Sequence, residues 1–131
     1  MLKYVFYNVQ KPVKVDYDFK VQNSFDKRKN YSDKIRQEHL NMVPIIVEKA
    51  GTNDVQQIRK SKFLINKNIK VGEFLLEIRR QLNIDSKDSM FLFVNNKVIP
   101  SNNDRLETLY KDYMDADGFL YITYSLENVF G

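Results

Sequence analysis

The sequence contains no cysteine, one histidine, three prolines and four glycines in 131 residues. Without cysteine there is no disulfide framework, no thiolate nucleophile and no thiolate metal site. His39 alone cannot build a multi-histidine metal centre or a hydrolase triad, because such sites need several converging ligands or a nucleophile–base pair. No metal, no cofactor and no catalytic constellation is therefore expected, and the chain does not read as an enzyme. Long hydrophobic runs are also missing: residues 90–94 are among the longest, far short of the ~18 needed to cross a membrane as a helix. The start, Met1-Leu2-Lys3-Tyr4-Val5-Phe6-Tyr7-Asn8, turns polar too early for a secretory signal. A cytoplasmic location is the expectation.

What is present is enough for one folded domain: 43% hydrophobic and 13% aromatic residues exceed what a disordered chain carries. The formal net charge of +4 admits an anionic partner. The basic residues are scattered, however: Lys27-Arg28-Lys29, Lys34, Arg36, Arg59-Lys60, Lys62 and Arg79-Arg80 are interrupted by acids and share no aromatic stacking platform. That pattern reads as a solvated face rather than a nucleic-acid surface.

Val71, Phe74, Leu75, Ile78 and Leu82 recur at i, i+3, i+4, i+7 and i+11, which predicts an amphipathic helix over 71–82. Leu106, Leu109, Tyr110 and Tyr113 predict a second, with Asp104 placed to cap it and Glu107 three residues on. Residues 43–47, 63–65, 90–94 and 119–124 read as strands. Gly51-Thr52-Asn53-Asp54, Asn95-Asn96 and Asp117-Gly118 supply turns. Residues 25–38 predict a surface helix pinned by a sparse stripe of Phe25, Tyr31 and Ile35. The order helix, strand, strand, long helix, strand, short helix, strand is that of an α+β, ubiquitin-like β-grasp. In it, helix 71–82 crosses one face of a mixed sheet and the added N-terminal helices lie on the other. Residues 1–17 form a separate extension, a strand or loose hairpin, since Val13, Val15 and Tyr17 alternate with Lys14, Asp16 and Asp18. The main domain spans 18–131, with a C-terminal tail at 126–131.

The end of the chain is distinctive. Phe119-Leu120-Tyr121-Ile122-Thr123-Tyr124-Ser125 feeds Leu126-Glu127-Asn128-Val129-Phe130-Gly131, an apolar run followed by a short tail closing on glycine. A final glycine is also compatible with a frayed terminus. Together with Ser24-Phe25-Asp26-Lys27-Arg28, Val43-Pro44-Ile45-Ile46-Val47-Glu48-Lys49-Ala50, Lys60-Ser61-Lys62-Phe63-Leu64, Val71-Gly72-Glu73-Phe74 and Leu92-Phe93-Val94-Asn95-Asn96, it resembles the autophagy ubiquitin-like modifiers, the family that includes GABARAP. The resemblance runs from about Asp18 to Gly131 and marks the chain as a divergent member with an N-terminal extension.

That resemblance implies a monomeric modifier joined through Gly131 to phosphatidylethanolamine, with Phe130 and Glu127 read by the enzymes that handle the tail. Its implied partners are an activating enzyme, a conjugating enzyme and a delipidating cysteine protease of the autophagy lipidation pathway, and no nucleic acid. The lipid would carry it to autophagosomal or other intracellular membranes. It further implies capture of aromatic-x-x-aliphatic motifs from cargo receptors, paired as an added strand on the edge 62–66. The matching residues are Ile35, Pro44, Ile46, Lys62, Leu64 and Phe119 on one side, and Phe63, Ile65, Ile69 and Phe74 on the other. Lys60 and Lys62 would meet acidic residues that precede the motif, and Arg79 is counted with the peptide-binding residues. The chain departs from the family pattern at Tyr31 (usually an acid), at His39-Leu40-Asn41-Met42 (usually Tyr-Pro-Asp-Arg), at Asn66 (usually proline), at Glu77 (usually aliphatic) and at Gln81 (usually arginine). A peptide-binding module that is never conjugated, and a basic nucleic-acid-binding domain, are the competing classes.

Overall fold

The structure, a computed structural model, describes residues 16–50 and 56–126. The strand or hairpin expected in 1–17 falls almost wholly outside the described residues, as do the turn at Gly51-Thr52-Asn53-Asp54 and the tail residues Glu127, Phe130 and Gly131.

Eight elements follow one another: α1 (Asp18–Gln22), α2 (Phe25–Glu38), β1 (Met42–Lys49), β2 (Lys62–Asn66), α3 (Val71–Leu82), β3 (Phe91–Val94), α4 (Leu106–Tyr113) and β4 (Leu120–Ser125). The sheet order is β2-β1-β4-β3, with a parallel β1–β4 pair at the centre and antiparallel partners outside. A central parallel pair is buried on both faces, which is why β1 and β4 read as nearly unbroken apolar runs.

Alternation along the strands divides the core in two. Val43, Ile45 and Val47 of β1, with Leu120, Ile122 and Tyr124 of β4, meet Val71, Phe74, Ile78 and Leu82 of α3. Ile46 and Tyr121 face the other way, where Phe119, Tyr17 and Phe19 cover them. The helical entry therefore does lie on the face opposite α3. Tyr124 also reaches out of the sheet: its hydroxyl donates to the Gln56 carbonyl at 2.6 Å and accepts from the Ile58 amide at 2.7 Å. Burial pushes this phenol up to about 12.

Asp104 does not cap α4. Arg105 occupies the cap position without a side-chain bond, and the Asp104 carboxylate accepts instead from the Ser101 amide at 3.2 Å. The orphan amides at the helix start are taken up by tertiary backbone acceptors: Leu106 N–H donates to the Ile69 carbonyl and Glu107 N–H to that of Lys67, both at 2.9 Å. A cap side chain is dispensable where another segment supplies carbonyls.

The sparse apolar stripe of α2 is only partly covered, for Phe25 and Tyr31 are 45% and 43% exposed and Ile35 is half-buried. The helix is latched by polar groups onto the turn before β4. Arg28 Nε donates to Asp117 Oδ2 at 2.8 Å, and Tyr121 OH donates to the same oxygen at 2.6 Å. Asp117 Oδ1 accepts from the Phe119 amide at 2.9 Å, and the buried Ser32 hydroxyl donates to the Asp117 carbonyl. Arg28 also reaches the Asn23 carbonyl at 2.7 Å, and Tyr110 OH donates to the Gly118 carbonyl at 2.6 Å. Burial first, and the bond to Asp117 second, push the Tyr121 phenol far above its ordinary range, so it remains a donor. Gly118 adopts φ 91°, and a Cβ there would lie 2.2 Å from Ser32 Oγ, so both conformation and space demand glycine. The solvated-face reading of Lys27-Arg28-Lys29 is thus wrong for Arg28, whose side chain is only 11% exposed.

Candidate functional site

β2 stands at one edge of the sheet, paired with β1 on one side and with no strand on the other among the described residues. Such an edge offers unpaired amides and carbonyls to an incoming extended peptide. The β1–β2 register sets Pro44 opposite Leu64, Ile46 opposite Lys62, Ile45 opposite Phe63 and Val43 opposite Ile65. Because side chains alternate, Lys62 and Leu64 flank the edge on the α2 side, and Phe63 and Ile65 on the α3 side. Pro44 lacks an amide donor but sits one residue before the ladder with β4 begins at Ile45, so no bond to that strand is lost.

On the α2 side, Ile35 and Leu64 are half-buried and Lys62 is exposed, over a floor of buried Pro44 and Ile46. Phe119, only 2% exposed, lies beneath them, edge-on to Phe19 at 5.1 Å and to Tyr31 at 6.0 Å. Lys62 Nζ rests 5.2 Å over the Tyr31 ring, so an aromatic stands where an acid would pair with it. A cleft of about 470 Å³ opens alongside, its walls including Phe19, Lys27, Tyr31, Ser61 and Lys62. Glu48 lies at its base, where its carboxylate accepts from the amides of Asp18 at 2.8 Å and Phe19 at 3.0 Å and closes the N-terminus of α1.

On the α3 side, half-buried Ile65 and Ile69 pack against the core, and Phe63 stacks edge-on with Phe74 at 5.3 Å. Lys60 Nζ lies 5.6 Å over the Phe63 ring. Glu77 does not leave an unpaired charge here: it accepts from Gln81 Nε2 at 2.9 Å and from the Arg80 guanidinium. Those bonds, Gln81's foremost, hold its carboxyl below the usual range. Arg79 is not part of this edge. Its guanidinium donates to the Asp88 carbonyl at 2.7 Å and the Asp85 carbonyl at 2.9 Å, stapling the loop after α3.

The structure therefore gathers both predicted sets around β2 and sends Arg79 elsewhere. Sequence reasoning missed Glu48, Ser32 and the buried role of Asp117. Asp117-Gly118 carried a turn signal, but nothing local marked the acid as a buried hub.

A family profile described as "Autophagy protein Atg8 ubiquitin like" matches residues 27–131. The chain is 42% identical over 113 residues to Autophagy-related protein 8e of Arabidopsis thaliana, covering 86% of this chain and 92% of that one. It is 43% identical over 114 residues to Autophagy-related protein 8 of Dictyostelium discoideum, covering 86% and 93%. Among solved structures, Trypanosoma brucei ATG8 superposes with a TM-score of 0.78 at 32% identity, covering 84% of this chain and 94% of that one. Plasmodium falciparum Atg8, in complex with a Plasmodium falciparum Atg3 peptide, superposes at 0.79 and 31% identity, covering 86% and 98%.

Proposed function

The chain belongs to the Atg8 family of ubiquitin-like autophagy proteins, and on that premise we propose that it works through two surfaces, the carboxylate of Gly131 and the β2 edge. It is a ubiquitin-like modifier of autophagy joined to lipid, and recruitment of cargo receptors is part of its role. Its part in the pathway is that of the group transferred, not of a catalyst.

An activating enzyme adenylates the Gly131 carboxylate with ATP, releasing pyrophosphate. An enzyme cysteine displaces AMP to give a thioester. The amine of phosphatidylethanolamine then attacks the thioester carbonyl, releases the thiol and leaves an amide. Two acyl chains, at ~0.8 kcal/mol per buried CH₂, convert a soluble protein into a stably anchored one. Glu127 and Phe130 are the tail residues that these enzymes and a delipidating cysteine protease read. The unconjugated form is cytoplasmic and the conjugated form sits on autophagosomal membranes. A conjugating enzyme of the Atg3 kind meets the chain as the Plasmodium relative meets its Atg3 peptide.

The observation that carries the peptide-binding half is the β2 edge, unpaired among the described residues, between two apolar sets of opposite parity. An aromatic-x-x-aliphatic peptide gains a strand ladder there and buries its two anchors on opposite sides. Leu64→Arg places a charge beneath the first anchor while leaving the β1 pairing intact. Peptide affinity measured by calorimetry should fall at least about tenfold, equivalent to roughly 1.4 kcal/mol. Unchanged affinity would move the peptide site off this edge.

Conjugation is tested by reconstitution with activating and conjugating enzymes of the pathway, ATP and vesicles containing phosphatidylethanolamine. Intact mass should show one lipid adduct per chain. Absence of an adduct, with the enzymes active on another family member, would leave a peptide-binding module that is never conjugated.

A further inference from the structure

At the end of the sheet where β1 begins, the C-terminus of α2 and the last turns of α4 enclose a cleft of about 340 Å³. Its walls carry Arg36, Lys67 and Lys111 against a single carboxylate, Glu107, with Leu40 and Met42 between them. Glu107 is taken by Lys67 at 3.6 Å. Arg36 is held in place, its guanidinium 5.7 Å over the Tyr110 ring and 3.9 Å from Asp33. Lys111 has no acidic partner among the described residues, and Leu40 is 78% exposed. Positive charge in excess of its counter-charges, beside an exposed aliphatic side chain, is complementary to an acidic segment that also carries an apolar residue. The cleft coincides with His39-Leu40-Asn41-Met42, where the chain departs from the family pattern.

Topology favours a protein over a membrane as the source of that negative charge. β1 and β4 run parallel, so the cleft lies at the start of β1 and the chain leaves β4 at the opposite end. The eight residues of β1 span about 25 Å. The six residues 126–131 reach at most ~20 Å even fully extended. A chain anchored by Gly131 is therefore attached to the bilayer at the end of the sheet opposite this cleft.

We propose that this cleft is a docking site, separate from the β2 edge, for an acidic, aliphatic-containing segment of a protein partner. The choice of protein over membrane rests on Gly131 as the anchor. The test uses unconjugated chain, so failure of conjugation and failure of the cleft are read separately.

A library of random twelve-residue peptides is displayed against the full chain carrying Leu64→Arg, which removes the β2 edge as a competing site. The expected winners carry at least two acids beside an aliphatic residue. Measured by fluorescence anisotropy on the wild-type chain, a labelled winner should bind with an affinity that falls as salt rises. Lys111→Glu should weaken it about tenfold and Lys111→Gln less, since an exposed charge pair contributes up to ~1 kcal/mol and reversal replaces attraction with repulsion. Leu40→Asp should weaken it similarly, and each variant should keep the wild-type thermal midpoint and β2-edge peptide affinity. No enrichment, or winners indifferent to both Lys111→Glu and Leu40→Asp, would overturn the proposal. So would phosphatidylserine vesicles that bind unconjugated wild type but not Lys111→Glu, because they would assign the cleft to lipid.

Discussion

Replacing Gly131 by alanine should slow formation of the phosphatidylethanolamine adduct at least ~100-fold, about 2.7 kcal/mol in the transfer barrier, and should leave thermal stability and β2-edge peptide affinity unchanged. On the proposed route a carboxylate oxygen of Gly131 first attacks the α-phosphorus of ATP, and an enzyme thiol and then a lipid amine attack its carbonyl carbon. A Cβ beside that carbon crowds each approach and narrows the backbone conformations the last residue can adopt in an enzyme channel. The fold should be indifferent, because β4 ends at Ser125, six residues before Gly131, and the change adds one methyl group at the end of the chain. Intact mass and membrane fractionation of both forms, expressed in starved source cells, read the outcome. An adduct on the alanine form at the wild-type level would place the reactive residue elsewhere.

Asp117→Ala should lower the stability of the domain by about 3–5 kcal/mol, the range for breaking a buried ion pair on one side, with a melting shift of roughly 10–20 °C. Asp117 is fully buried and accepts from Arg28, Tyr121 and the Phe119 amide. Removing it leaves a nearly enclosed guanidinium without its counter-ion and a phenol with no other acceptor among the described residues. Tyr121→Phe, which deletes one donor and leaves Arg28 paired, should cost only about 1 kcal/mol. The consequence for binding is selective. α2 carries Ile35 and Tyr31, and Phe119 follows the latched turn, so the first anchor pocket should weaken while contacts at Ile65 and Ile69 persist. Chemical denaturation paired with calorimetry on peptides lacking one or the other anchor separates the two. A loss under ~1 kcal/mol for Asp117→Ala would mean that α2 is held by packing rather than by this network.

Much of the site was legible before any coordinates. The resemblance implied Lys62 and Leu64 on one side and Phe63 and Ile65 on the other, in keeping with strand alternation, and the register with β1 has that parity. The helical period of 71–82 identified Val71, Phe74, Ile78 and Leu82 as one face, and those four are buried against the sheet. Arg79 and Asp104 were misplaced for a common reason. Each engages loop backbone, Arg79 at 85–88 and Asp104 at Ser101, and backbone carbonyls and amides leave no trace in a residue pattern.

By itself the sequence determined seven of the eight elements and their order, because these follow from spacings of two to four residues that a chain encodes locally. The short α1 (Asp18–Gln22) left no such pattern. Only the tertiary structure decided which charges are structural. Arg28 lies 89 positions from Asp117, and Glu48 lies 29 and 30 positions from the amides it closes. A buried ion and a solvated one are the same letter. What separates them is the desolvation and the partners imposed when distant segments meet.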